Sequence, residues 1–219
     1  IIPFTEIEDL KSGHIISLAL HNNKVYYESS KDDSDWVKIS SMGDNIQNAV
    51  VVSEDWSFWN HYGVDLIQIY QSFKSYIIGG KKLRGASTIT QQVVKNLFLT
   101  HERSFKRKIL EIVIASYMEL RLTKNQILEV YLNIIEYGDG IYGIKNASRH
   151  YFQKLPKSLS ARESAYLSML LPNPKVRSQI FSSKNTRLIN LILKKMKVAK
   201  YLNKNEYKSE LENKFIWEI

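Results

Sequence analysis

The sequence predicts a mostly α single domain entered through a short N-terminal β-hairpin, and three observations carry that prediction. At four places Ser, Thr, Asp or Asn stands three residues before Glu or Gln and ahead of an apolar-periodic run, the signature of a capped helix start. Gly- or Pro-bearing stretches close the runs. Only one stretch, Ile15 to Tyr27, alternates loosely with the period of a strand, and it pivots on Asn22-Asn23.

From about Ser41 onward the helical period takes over. Asp65-x-x-Gln68 precedes Leu66 to Ile78, and Thr123-x-x-Gln126 precedes Ile127 to Leu132. Ser160-x-x-Glu163 and Asn203-x-x-Glu206 precede Ala165 to Leu171 and Tyr207 to Phe215. Stops fall at Gly79-Gly80, Gly138-Asp139-Gly140 and Pro172-Asn173-Pro174. The glycines at 138, 140 and 143 lack the strand-then-helix setting of a nucleotide fingerprint and read as turn chemistry. No repeat or low-complexity linker divides the chain.

With 219 residues, 44% hydrophobic and 24% charged, the chain can bury one sizeable core and is not of disordered composition. The lack of cysteine excludes disulfides and thiolate metal sites. A net charge of +9 favours anionic partners: nucleic acid, anionic lipid headgroups or pyrophosphate. No run approaches the ~18 apolar residues of a membrane span. The chain opens at Ile1-Ile2-Pro3 without an initiator Met, so we expect it to follow a removed segment, such as a membrane anchor.

The chemistry-bearing residues fall in three clusters. Glu54-Asp55 sits among Trp56, Phe58, Trp59, His61 and Gly63. Desolvation beside those rings would raise a carboxylate's proton affinity and suit it to activate an alcohol. The alternative is an acidic pair at a solvated helix end, with His61 making a structural hydrogen bond. Ser87-Thr88-Ile89-Thr90-Gln91-Gln92 reads either as N-capping hydroxyls or, with Lys95 on the same face, as donors for a sugar beside a phosphate. Arg103, Lys106, Arg107 and Lys108 crowd like charges, which an anion such as pyrophosphate would relieve. Glu111, four residues after Arg107, reads as a helix ion pair or as a second carboxylate of the site. Glu129 and Asn133, one turn apart, suit interior polar groups, and Lys194, Lys195 and Lys197 read as a solvated or lipid-facing stripe.

Together these segments resemble glycosyltransferase family 51, the peptidoglycan glycosyltransferases that polymerise lipid II. The resemblance runs over roughly residues 40 to 180. It rests on Glu54-Asp55-x-x-Phe58-x-x-His61-x-Gly63, Gly85-Ala86-Ser87-Thr88-Ile89-Thr90-Gln91-Gln92, Arg107-Lys108-x-x-Glu111 and Lys124-x-x-Ile127-Leu128-Glu129-x-Tyr131-Leu132-Asn133. It continues through Gly140-x-x-Gly143 and Tyr151-Phe152 to Leu171-Pro172-Asn173-Pro174. Arg84-Gly85-Ala86-Ser87, Asn96-Leu97-Phe98-Leu99 and Ile135-Glu136-Tyr137-Gly138-Asp139-Gly140 look most like the monofunctional Gram-negative branch, and from the length of the chain we expect no transpeptidase domain. Asn146 and Gln153 depart from the common pattern away from the chemistry.

The resemblance implies a lysozyme-like glycosyltransferase head over residues 41–219, with a smaller membrane-facing lobe, preceded by a β lead-in over 1–40. It implies Glu54 as the base on the acceptor's 4-hydroxyl, with inversion at the donor's anomeric carbon and departure of undecaprenyl pyrophosphate. Glu111 would be a second catalytic carboxylate that orients the basic side chains or the donor, facing the same cleft at no less than the roughly 6.5–9.5 Å seen in inverting hydrolases. Asp55, His61, Ser87, Thr90, Gln91, Gln92, Lys95, Arg103, Arg107 and Lys108 would bind substrate. No cofactor is required by the sequence, though a divalent cation (Mg or Mn) could share the pyrophosphate. The implied partners are lipid II, the nascent glycan strand, the membrane surface and other cell-wall synthesis proteins, not nucleic acid. The implied place is the outer, periplasmic face of the bacterial inner membrane. The rival reading is a lysozyme-like or lytic glycoside hydrolase, whose sugar leaving group needs no cation cluster.

Overall fold

A computed structural model describes residues 3–11, 15–21, 24–30, 35–79, 87–99, 104–179 and 183–215. Helix α1 (Phe4–Lys11) leads into a hairpin of β1 (Ile15–His21) and β2 (Lys24–Ser30), antiparallel with His21 opposite Lys24. The expected Asn22-Asn23 pivot lies outside the described residues. Then follow α2 (Asp44–Glu54), α3 (Leu66–Gly79), α4 (Ile89–Phe98), α5 (Phe105–Arg121) and α6 (Lys124–Ile134). A small second hairpin, β3 (Glu136–Gly138) with β4 (Ile141–Tyr142), turns at Asp139-Gly140, in the stretch that the sequence reads as a stop and as turn chemistry. The chain ends with α7 (Ile144–Phe152), α8 (Ala161–Leu170), α9 (Pro174–Arg177), α10 (Ser183–Val198) and α11 (Lys204–Glu212). The described residues are thus mostly helical.

Helix starts follow from local chemistry. Thr123 with Gln126, Ser160 with Glu163, and Asn203 with Glu206 each form both reciprocal bonds of a capping box. Asp65 accepts from the Gln68 amide at 2.8 Å, so its cap also forms. A further box joins Thr88 and Gln91 at the start of α4.

The core centres on α8, which packs against α2 and α10, while α4 packs against α5 and α6. Nine of the ten α8 residues are buried, including Arg162. A helix buried all round is central to its fold rather than a surface helix. The Arg162 guanidinium is satisfied by Asn190 Oδ1 at 3.1 Å and the Glu210 carbonyl at 3.0 Å, and it lies over the Phe215 ring. Glu129 and Asn133 of α6 hold the incoming chain: Glu129 accepts from Trp36 Nε1 and the Ile39 amide, and Asn133 from the Val37 amide.

Gly63 brings the loop after α2 onto the backbone of α5. Its φ is +76°, and a Cβ there would lie 2.9 Å from the Ala115 carbonyl. The left-handed conformation and the backbone clash both oppose a side chain. We expect Gly63→Ala to lower unfolding stability by about 2 kcal/mol. An unchanged denaturation midpoint would show that the loop can move off α5.

Candidate active site

Helix α2 stops at Glu54, and the chain turns sharply at Asp55 (φ −152°, ψ 78°), so two adjacent carboxylates diverge. Asp55 points inward and is 1% exposed. It accepts from the Ile89 amide at 2.9 Å and from His61 Nε2 at 3.0 Å. Asp55 and His61, expected to touch substrate, brace the end of α2 against the start of α4, and His61 also lines the adjoining cleft. The brace forms because α4 begins with unpaired amides that a buried acceptor can satisfy.

Glu54 instead lines a cleft of about 1030 Å³, together with Trp56, Tyr62, Leu66, Ile112 and Lys195. Burial pushes its carboxyl above the ordinary carboxylate range. The Gln92 hydrogen bond and the positive fields of Arg177 and Lys195 oppose that push. Gln92 Nε2 donates to Glu54 Oε2 at 3.1 Å, and Gln92 Oε1 accepts from the Tyr131 hydroxyl at 3.1 Å.

Along the start of α4 the expected donors divide by helical phase. Gln92 and Lys95 share a face. Gln91 is buried, and its amide oxygen accepts from the Thr88 amide in the capping box. Thr90 is buried and donates to Glu119 at 2.5 Å, where Lys124 also donates. Gln91 and Thr90, both expected to bind substrate, are thus buried in this structure, with Gln91 Nε2 left without a partner among the described residues. Ser87 is half-buried and accepts from Lys108 Nζ at 3.0 Å, tying α5 to the approach to α4.

On α5, Glu111 is 2% exposed and accepts from Arg107 Nη1 at 3.1 Å and from Lys108. Both of its oxygens hold cations, so it organises the basic cluster. These contacts fit the orienting role that the resemblance implies for Glu111, which is not among the residues lining the cleft beside Glu54. Arg103 lies outside the described residues, and Lys106 is exposed.

Lys95 joins the two halves of the site. Burial lowers its affinity for the proton, Glu111 and Glu54 raise it, and Arg107 and Lys108 lower it. One ammonium thus feels both the Glu54 carboxylate and the α5 cluster. Lys95, Arg107 and Lys108 face a single Glu111, which leaves a positive surplus suited to an anion.

Two residues of the site carried no such signal in the sequence. Arg177 follows Pro172-Asn173-Pro174, which reads only as a stop, yet its charge acts on Glu54. Lys195 reads as part of a solvated stripe. Lys194 and Lys197 are indeed exposed, but Lys195 turns inward, donates to the Val52 carbonyl at 2.8 Å and lines the cleft. Beside the cleft, Leu66, Ile67, Tyr70, Ile77 and Ile78 of α3 are exposed, as is Tyr62. Phe105, Ile109 and Val113 form an exposed stripe on α5. Among the described residues no helix is long and apolar enough to cross a membrane, and no group of three or more His, Asp or Glu gathers as metal ligands.

A desolvated carboxylate and a cluster of cations, both acting on Lys95 in a mostly helical frame, suit acid–base chemistry next to an anion. Residues 21–197 match the family model described as Transglycosylase, and the chain belongs to that family. It is 47% identical over 140 residues to a protein of Haemophilus influenzae (strain PittEE), covering 64% of this chain and 58% of that protein. It is 48% identical over 143 residues to one of Shewanella denitrificans, covering 65% and 62%. With one of Mannheimia succiniciproducens the figures are 42% over 174 residues, 79% and 68%. All three are named biosynthetic peptidoglycan transglycosylase. The matched span is about three-fifths of the length of the first two relatives.

Proposed function

We propose that the chain is an inverting peptidoglycan glycosyltransferase that polymerises lipid II. The observation that carries the reading is Lys95, which shares the fields of the raised carboxyl Glu54 and of the Arg107–Lys108–Glu111 cluster. A hydrolase base has no use for that surplus of cations, whereas a departing pyrophosphate does.

In this mechanism Glu54 takes the proton from the 4-hydroxyl of the acceptor's N-acetylglucosamine. The freed oxygen pair bonds to the anomeric carbon of the donor's N-acetylmuramic acid. The bond from that carbon to the undecaprenyl pyrophosphate oxygen breaks on the opposite face, so an α-linked donor becomes a β-1,4 glycan. Lys95, Arg107 and Lys108, with Arg103, offset the charge arriving on the pyrophosphate. Gln92 and Ser87 border the donor groove. Any divalent cation would ride on the pyrophosphate oxygens, since both Glu111 oxygens already hold protein cations.

The exposed apolar faces of α3 and α5 form the lobe that rests on lipid and admits the polyprenyl chain, because an uncovered apolar surface of this kind marks an interaction site. In this reading the site works at the outer face of the bacterial inner membrane, under a lysozyme-like head. Incubation with labelled lipid II in detergent or vesicles, then muramidase digestion of the product, tests the reading. We expect long glycan that muramidase cuts to disaccharide units. Clearing of purified cell walls without glycan synthesis would instead establish a hydrolase.

A further inference from the structure

We infer that Tyr131 is a positioning residue for Glu54, acting through Gln92. Tyr131 is fully buried in α6, and its hydroxyl donates to Gln92 Oε1 at 3.1 Å. The other end of that amide donates to Glu54 Oε2 at 3.1 Å. An amide has one accepting and one donating end, so fixing the first fixes the second. Were Gln92 turned over, its oxygen would face an ionised carboxylate. The tyrosine hydroxyl opposes that turn because it offers its proton to the oxygen. Burial, and then the Glu54 charge, hold that hydroxyl in its protonated form, so it stays a donor wherever the enzyme works.

Glu54 is faced from several elements: by Asp55 beside it, Gln92 and Lys95 on α4, Arg177 on α9 and Lys195 on α10. Tyr137 also feels its charge from β3. Gln92 donates a hydrogen bond to Glu54, and Tyr131 sets its direction. The hydrogen-bonded chain therefore favours the ionised, proton-accepting form of Glu54 against the burial that opposes it, and it fixes one carboxylate oxygen. Its catalytic meaning rests on Glu54 being the base. The hydrogen-bonded chain does not.

The test is the titration of Glu54, followed by carbon NMR in protein labelled at the glutamate side-chain carboxyls and assigned with Glu54→Gln. Tyr131→Phe keeps the buried ring and removes only the hydroxyl. We expect its Glu54 midpoint to rise by about one pH unit, as the bond favouring the charged form loosens. We also expect kcat to fall about tenfold with KM held, since the aimed oxygen wanders. In a Gln92→Ala background Tyr131→Phe should add nothing. Tyr137→Phe is the control: its hydroxyl is equally buried and has no hydrogen-bond partner among the described residues, so the midpoint should stay. An unmoved midpoint in Tyr131→Phe overturns the inference, as does an equal rise in Tyr137→Phe. If Tyr131→Phe does not melt cooperatively, Gln92→Leu at a half-buried position carries the test, and an unmoved midpoint again overturns it. Failure of the polymerase reading would show separately, as wild-type protein that makes no glycan while the titrations still differ.

Discussion

Glu54→Gln is expected to lose polymerisation by about a thousandfold and to melt at a higher temperature than the parent at neutral pH. The first effect follows because the variant removes the group that takes the acceptor's proton in the proposed mechanism, while keeping its shape and its contact with Gln92. The second follows from the sign of the pKa shift. Burial raises the folded-state pKa of Glu54 above its unfolded value, so the fold prefers the carboxyl protonated. That preference stabilises the protein fully below the unfolded pKa and is lost as pH rises through the folded one. Gln is neutral at every pH and keeps what the parent loses. Parent and variant should therefore melt together in acid, and the gap should open above the usual carboxylate range. Calorimetry at both ends of that window, with a glycan assay, reads both effects. Polymerisation within a few-fold of the parent would remove Glu54 from the chemistry. A neutral-pH melting point below the parent's would show that burial is not what raises its proton affinity. Stability gained where activity is lost is the trade expected of a functional side chain held in an unfavourable setting.

How much of this was legible beforehand depends on how local each cause is. Caps are local: an oxygen, three residues and an amide specify the starts of α6, α8 and α11 without reference to the rest of the chain. The cluster around Arg107 and the desolvated pair at Glu54-Asp55 were legible for the same reason. The assignment of roles within each cluster was not. Glu54 and Asp55 are neighbours, but α2 ends between them, and the turn sends one to the cleft and the other to the core. Gln91 and Gln92 are adjacent on α4, and a rotation of about 100° per residue gives one to the cap and the other to Glu54. Glu111 joins the basic cluster because its partners sit one turn away. Arg177 and Lys195 reach Glu54 from helices more than a hundred residues downstream, and only packing brings them there. The burial of α8 on every side is equally a tertiary fact, since its mix of Ala, Ser, Arg and Leu carries no such message.

Asp55→Ala is expected to lower unfolding stability by about 3–5 kcal/mol, the largest stability loss we assign to any one side chain here. Its carboxylate is the buried acceptor for the Ile89 amide at the head of α4 and for His61 Nε2. His61 Nδ1 already has no partner among the described residues, so removing Asp55 would leave the ring with neither nitrogen bonded within them. The Ile89 amide has no intrahelical partner either, because it opens the helix. Nearby, Thr88 Oγ1 donates to the Gly63 carbonyl at 2.6 Å, so the loop that rests on α5 is bound to the same helix start. Loosening Asp55 should therefore shift Gln92 and Lys95 with α4, and activity should fall although Asp55 offers substrate no surface. Asp55→Asn keeps one accepting oxygen and should cost roughly half as much. Denaturation midpoints for both variants, set beside their KM and kcat, separate the two accounts of this residue. A variant that melts like the parent yet raises KM would make Asp55 a substrate ligand after all. A large loss of stability with a fall in kcat makes it the brace on which the catalytic helix is mounted.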